Sequence, residues 1–204
     1  MGLNRSCARS IVAAVFALSL AIPAAAQTVP VAAQKSTANL SRIRIDNFGQ
    51  INANYYRGAQ PKGQDYADLA AIGVKSVIDL TDDDTDATEP SMVQRAGMKA
   101  FRIPMNTHTP PSTEQLAQFF KIVNDPTNQP VYVHCVGGKH RTGVMTAAYR
   151  MAAEGWNAQK AFSEMKQYNF GADFLHSEFK SFVYAFKPEP KGAVPTVVAL
   201  TTNP

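Results

Sequence analysis

One short stretch of this sequence contains side chains that can do covalent chemistry. Cys135 is followed by Gly137 and Gly138, and then by Arg141 and Thr142. Glycine permits backbone angles that other residues resist, so that successive N–H groups can point inward. A loop of this kind, followed by the positive N-terminus of a helix, is typical of a phosphate-binding site. The planar guanidinium of Arg141 can hold two phosphate oxygens at once.

The same loop can supply a nucleophile. Its N–H groups, the helix end and Arg141 all favour the thiolate form of Cys135. The thiolate would attack a bound phosphoryl group in line, and water would then hydrolyse the cysteinyl-phosphate. Thr142 is predicted to donate to the sulfur and help it leave, and His134 to orient the loop by hydrogen bonding. We expect no cofactor and no metal, because none of the four histidines has metal-ligand spacing.

The rest of the loop is predicted to bind the substrate. The backbone N–H groups would surround the phosphate, and Lys139 and His140 could meet further phosphates of a polyanionic substrate. The predicted substrate-binding residues are Val136, Gly137, Gly138, Lys139 and His140.

The order of a strand, His-Cys, five residues and Arg-Thr-Gly resembles the Cys-x5-Arg phosphatases, which form the protein tyrosine phosphatase superfamily. Residues 56–61 are similar to the segment that opens the domain in compact bacterial dual-specificity phosphatases. Residues 139–143 match the loop ending of the atypical group that acts on inositol pyrophosphates. The resemblance implies a phosphatase for phosphotyrosine-type or inositol phosphate substrates, either a phosphorylated small molecule or a phosphoprotein. A catalytically weak phosphate-binding pseudophosphatase is the alternative, and a thiol redox or sulfurtransfer protein is a third hypothesis.

The resemblance also implies an aspartate that protonates the leaving oxygen, on the loop of residues 105–111. This chain has no acid there, and Thr107 stands in the aspartate's place. His108 could donate the proton as an imidazolium. Alternatively an acid could come from the run of residues 82–86, or the substrate could be a phosphoanhydride or aryl phosphate that needs none. The three explanations remain open at this point.

The elements around the loop predict how it is positioned. A short buried strand at residues 131–133 leads into Cys135, and a helix is expected over residues 142–153. Earlier in the chain, Ser112 and Gln115 form a capping box that begins another helix. Ile43 and Ile45 alternate with arginines and suggest an edge strand, and residues 174–186 suggest one further helix. Because strands alternate with helices, we expect an α/β three-layer sandwich with a mostly parallel central sheet flanked by helices.

Residues 1–26 have the pattern of a secretory signal peptide. Arg5 and Arg9 precede an uncharged apolar run that is too short to cross a membrane, where about 20 residues are needed. We therefore expect a secreted, periplasmic protein with no membrane span after cleavage. The remaining chain divides into a flexible N-terminal arm (27–42), a dual-specificity-like phosphatase domain (43–187) and a disordered tail (188–204).

Composition excludes several other classes of protein. Hydrophobic residues make up 45% and charged residues 18% of the 204 residues, which indicates one globular domain. Two cysteines cannot form a disulfide scaffold, and cleavage after residue 26 would leave Cys135 alone. Cleavage would also lower the formal net charge from +4 to +2, and no basic run interleaved with aromatics suggests nucleic-acid binding. We expect a monomer that binds no nucleic acid.

Overall fold

The computed structural model describes residue 2, residues 40–83 and residues 86–188. The predicted signal peptide, apart from residue 2, lies outside the described residues, as do the predicted N-terminal arm up to residue 39 and the predicted tail from residue 189. Within the described ranges, no helix has the length and apolar character needed to cross a bilayer.

Five strands form the central sheet, and they account for the position of the cysteine loop. The strands are β1 (Gly49–Asn52), β2 (Tyr55–Gly58), β3 (Ser76–Thr81), β4 (Lys99–Met105) and β5 (Val131–His134). Their order across the sheet is β1-β2-β5-β3-β4, with β1 antiparallel to β2 and every other neighbouring pair parallel. The mostly parallel sheet is therefore confirmed, and β5 lies at its centre.

Helices cover both faces of the sheet. They are α1 (Asp65–Ala71), α2 (Glu89–Arg95), α3 (Thr113–Val123), α4 (Arg141–Glu154), α5 (Ala158–Gln167) and α6 (Ser177–Ala185). Successive strand residues point to opposite faces, so Val131 and Val133 of β5 pack in one core with residues of α3 to α6. Tyr132, between them, packs in a second core with residues of α1 and α2. The two cores make the three layers that the sequence predicts.

The local signals of the helix starts are confirmed. Ser112 forms the complete capping box with Gln115, and Asn157 accepts a hydrogen bond from the Lys160 N–H at the start of α5. The helix after the cysteine loop begins at Arg141 and ends before Gly155, which has the left-handed conformation typical of a helix end.

Two predicted elements are wrong. Residues 43–45 form no strand and pair with none of the five strands of the described sheet. The alternation of Ile43 and Ile45 instead reflects one buried face of an extended segment, in which Ile45 packs against the second core. The predicted single helix over residues 174–186 is a 3-10 turn (Asp173–His176) followed by α6.

Candidate active site

The cysteine loop lies where the central strand ends and the most buried helix begins. β5 ends at His134, Cys135 follows it directly, and α4 begins at Arg141. The loop is therefore at the carboxyl edge of parallel strands, where α/β proteins bind their ligands, with the N-terminus of α4 directed at it. Cys135 is buried, at 3% exposure.

Groups outside the loop hold three consecutive loop carbonyls. The three hydrogen bonds run from Gln60 N to Val136 O (3.1 Å), from Asn47 Nδ2 to Gly137 O (2.7 Å) and from Arg57 Nη2 to Gly138 O (2.5 Å). The N–H and C=O of a trans peptide point in opposite directions, so the N–H groups that follow these carbonyls point away from the donors, into the loop. Within the part of the chain that the structure describes, no backbone N–H of residues 136–140 donates a hydrogen bond. These N–H groups are available to an anion.

The two glycines of the loop have different roles. Gly138 has a φ of +64°, and a Cβ added there would lie 2.4 Å from the backbone C and O of Gly58. Gly137 does not have a positive φ, and the nearest atom to its added Cβ would be a Lys139 side-chain carbon at 3.7 Å. The prediction that both positions need glycine's backbone freedom is therefore wrong for Gly137, since only Gly138 has such a conformation.

Arg57 stabilises the loop through a buried side chain that contacts the carbonyl of Gly138. Its side chain is fully buried, its guanidinium lies 4.0 Å from the ring centroid of Tyr168, and it donates to the Gly138 carbonyl. Its Nε and Nη1 have no hydrogen-bond partner among the described residues. The buried charge lies behind the anion loop, where it favours a negative charge at Cys135.

The surroundings of Cys135 favour the thiolate. Burial by itself raises the pKa of the thiol, but hydrogen bonding by the hydroxyl and N–H of Thr142 and the charges of Arg141 and His134 outweigh it, so that the pKa lies below its usual value. The Thr142 hydroxyl makes no regular hydrogen bond in the present conformation. Because a hydroxyl hydrogen rotates freely and no other acceptor among the described residues competes for it, the Thr142 hydroxyl can direct its hydrogen at the sulfur.

His134 is paired with an acid that the sequence did not reveal. Its Nε2 lies 3.0 Å from Oε1 of Glu89, the first residue of α2, and both side chains are buried. Burial by itself lowers the pKa of His134, but Glu89 outweighs burial and raises it. The hydroxyl of Tyr66 lies 3.2 Å from the same Glu89 oxygen. His134 therefore contacts Glu89, and it contributes positive charge behind Cys135.

The acidic run after β3 reaches the site. Nη1 of Arg141 donates to Asp83 Oδ1 (2.5 Å) and to the carbonyl of Met105 (3.1 Å), and the Thr107 hydroxyl donates to Asp83 Oδ2 (3.2 Å). The hydrogen bond and the charge of Arg141 lower the pKa of Asp83. Asp83 therefore joins the arginine to the loop that lacks the expected aspartate.

His108 and His140, the two histidines among the predicted site residues, both contact His176, which directly precedes α6. His108 is exposed, and its ring stacks on that of His176 with centroids 5.0 Å apart. The His140 ring is 3.7 Å from that of His176, and its Nε2 lies 3.0 Å from the carbonyl of Phe170. Its side chain is engaged there, whereas its backbone N–H has no acceptor among the described residues.

An open, polar cavity of about 470 Å³ lies beside the loop. Lys139 lines it with Val136 and Gly137, and Arg44 and Lys62 add two more basic side chains. The acidic members of its lining are Asp46 and Asp65. Of the nine predicted site residues, the structure gathers all but His108 in the loop and the first turn of α4.

Comparisons with known proteins all point to phosphatases of one family. A family model described as "DSP-PTPase phosphatase fused to NAD+ Kinase" matches residues 30–182. The chain is similar to the probable tyrosine-protein phosphatase DG1060 of Dictyostelium discoideum, with 29% identity over 60% of this chain and 75% of that protein. It is also similar to the dual specificity protein phosphatase TpbA of Pseudomonas aeruginosa, with 30% identity over 61% of this chain and 56% of that one.

A solved structure has the same fold. The catalytic core of the Saccharomyces cerevisiae PP-IP phosphatase SIW14 superimposes with a TM-score of 0.62, over 71% of this chain and 88% of that one, at 23% identity. The matched region thus covers three quarters of DG1060 but little more than half of TpbA.

Proposed function

The chain belongs to the DSP-PTPase family of phosphatases, and from this premise we propose that it hydrolyses phosphate monoesters through a cysteinyl-phosphate on Cys135. One observation carries the proposal: the buried sulfur lies in a loop whose carbonyls are held from outside and whose N–H groups are free for the phosphate. Such preorganised donors stabilise the charge of a transferring phosphoryl group without reorganisation during the reaction.

The steps follow from the positions of the side chains. The thiolate of Cys135 attacks phosphorus as the bond to the leaving oxygen breaks, and that oxygen takes up a proton. Arg141 and the loop N–H groups hold the three equatorial oxygens. Water then attacks the thiophosphate, phosphate leaves, and the Thr142 hydroxyl donates to the departing thiolate. We propose Thr142 for this step because it already lowers the pKa of the sulfur.

Two side chains compete for the role of proton donor. His108 is engaged with His176 and Glu178, whereas Asp83 contacts the guanidinium that would hold the phosphate. A bound phosphate dianion would take Arg141 from Asp83 and place negative charge next to its carboxylate, and both changes favour protonation. These contacts support Asp83 over His108.

The donor is tested with two substrates of unequal leaving groups. Asp83→Asn should slow hydrolysis of an alkyl phosphate by roughly 10²-fold or more and that of an aryl phosphate much less, since an alkoxide leaves poorly without a proton. His108→Ala is the matched comparison and should leave the ratio of the two rates unchanged. The reverse pattern would assign the proton to His108, and no change in either variant would favour a substrate that needs no acid.

The cavity beside the loop supports one of the two substrate classes. DG1060 and TpbA are named as protein phosphatases, and SIW14 as a PP-IP phosphatase. We propose an inositol polyphosphate or pyrophosphate for this chain, because Arg44, Lys62 and Lys139 can meet phosphates beyond the one held by Arg141. A phosphotyrosine substrate offers a single phosphate and would leave these three side chains unused.

Phosphate release tests the function and its substrate together. We expect phosphate release to be faster from inositol hexakisphosphate or an inositol pyrophosphate than from phosphotyrosine and phosphoserine peptides. The Cys135→Ser protein should release none. Lys62→Gln should raise KM for the inositol compounds several-fold but not for an aryl phosphate, and Lys121→Gln on α3 is the matched control. Release from phosphotyrosine alone would make this a protein phosphatase. Stoichiometric phosphate binding without release would establish the pseudophosphatase alternative.

A further inference from the structure

Three metal-ligating side chains converge between the loop after β4 and the start of α6. They are His108, His176 and Glu178, and their ligating atoms all lie within 4.8 Å of one another. Nδ1 of His176 is 3.4 Å from Oε1 of Glu178, and Nδ1 of His108 is 3.6 Å from the same oxygen. A tetrahedral zinc ion with bonds of about 2.0–2.2 Å holds its ligand atoms roughly 3.3–3.6 Å apart. Two of the three separations already match such a site.

The buried ligand atoms lack other partners. His176 is 8% exposed, and its Nδ1 and the Oε1 of Glu178 are buried with no hydrogen-bond partner among the described residues. Buried polar atoms are rarely left in this state, so a ligand that bonds both is expected here. His108 is mostly exposed, and its side chain can rotate to complete the set.

The neighbouring charges suit a cation. The ring of His140 contacts that of His176, and Nε2 of His140 lies 3.0 Å from the carbonyl of Phe170, so that His140 is directed away from the three ligand atoms. Glu178 provides the negative charge, and two imidazoles with one carboxylate form a donor set that suits zinc and its neighbours in the transition series.

We propose that His108, His176 and Glu178 bind one divalent transition-metal ion of the zinc class. Three protein ligands leave a fourth coordination position for water or a phosphate oxygen. The bound ion joins the loop of residues 105–111 to α6, next to the cysteine loop through the contact between His176 and His140. This site could not be predicted from the sequence, because the spacing of the histidines along the chain is not that of a local metal motif.

Calorimetry with Zn²⁺ tests the site in the full chain carrying Cys135→Ser, which removes the thiolate that would itself bind zinc. We expect one ion per chain with a Kd in the micromolar range or tighter. Adding Glu178→Gln or His108→Ala should weaken binding at least tenfold. Glu114→Gln, a surface carboxylate whose side chain contacts Ser112, is the matched control and should change nothing.

A second readout locates the ion. Hydrogen exchange in residues 106–109 should slow on addition of Zn²⁺ to the Cys135→Ser protein, and the same addition should have no effect once Glu178→Gln is present. The proposal is overturned if binding is not saturable, if all the variants bind equally well, or if protection appears in some other part of the chain. These outcomes leave the phosphatase proposal untouched, since it rests on Cys135 and Arg141.

Discussion

Replacing Gly138 by alanine should damage the anion loop, while the same change at Gly137 should not. At Gly138 the added Cβ would lie 2.4 Å from the backbone C and O of Gly58, about 1 Å closer than ordinary van der Waals contact. The φ of +64° adds a penalty of roughly 1–2 kcal/mol for a residue that carries a Cβ. Moving the loop away from Gly58 to relieve this overlap would strain the hydrogen bond from Arg57, in the same strand β2, to the Gly138 carbonyl.

The size of the effect follows from that displacement. A misplacement of about 1 Å at a reacting centre can cost roughly 10²-fold in rate. At Gly137, the nearest atoms to an added Cβ belong to the flexible Lys139 side chain at 3.7 Å, an ordinary contact. We expect Gly137→Ala to stay within about ±0.5 kcal/mol in stability, as substitutions away from special conformations do, and within a few-fold in rate.

The assay is kcat/KM on an aryl phosphate, with vanadate affinity as a measure of the anion site and near-UV circular dichroism as a check of the fold. Gly138→Ala should lose about 10²-fold in kcat/KM and bind vanadate more weakly, with the fold retained. Equal losses in the two variants would refute the reasoning, because only one of the positions has the strained geometry. An unaffected Gly138→Ala protein would refute it as well.

Two further predictions rest on the structure, and a third rests on the sequence. Thr142→Val should raise the pKa of Cys135, measured from the pH dependence of its alkylation by iodoacetamide. Turnover should slow by about 10- to 100-fold, which corresponds to the loss of a hydrogen bond to a charged group. Unchanged alkylation would contradict the role of Thr142. Glu89→Gln removes the partner that raises the pKa of His134. The variant should therefore lose most unfolding free energy below about pH 6.5, and the loss should shrink as pH rises through the folded pKa of His134. A difference in unfolding free energy between the two proteins that does not change with pH in urea titrations would contradict this pairing. We also propose export with cleavage of residues 1–26, and intact mass of the exported protein should give a chain that begins at residue 27, while a mass that includes Met1 would exclude it.

Local patterns predicted the parts of this protein that depend on neighbouring residues. The strand before Cys135, the glycine turn and the helix that begins at Arg141 form one continuous stretch, so residue type and spacing suffice to place them. The capping box at Ser112 is local for the same reason. The parallel sheet also followed, because alternating strands and helices allow few arrangements.

Long-range partners could not be found in this way. Asn47 is 90 positions from the Gly137 carbonyl that it binds, and Asp83 is 58 positions from Arg141. Residues 82–86 were one candidate source of an acid for the site, but residue type and spacing do not indicate which of their four aspartates meets Arg141, or which distant group an asparagine in a turn will bind. The fold decides these contacts, and the predicted edge strand at residues 43–45 failed for the same reason, since the alternation of Ile43 and Ile45 reflects burial against the second core and not pairing in the described sheet.

The long-range contacts explain how the loop keeps several N–H groups directed at one place. Free N–H groups that point at one place repel one another, so the loop needs stabilisation from other parts of the chain. Asn47, Arg57 and Gln60 supply it through the three loop carbonyls, and all of them belong to the segment around β1 and β2. The free energy for arranging the donors is thus spent during folding and not during substrate binding, which is the condition for strong transition-state stabilisation. Activity should therefore depend on this early segment of the chain, because all three of its donors, Asn47, Arg57 and Gln60, arrange the N–H groups through a loop carbonyl.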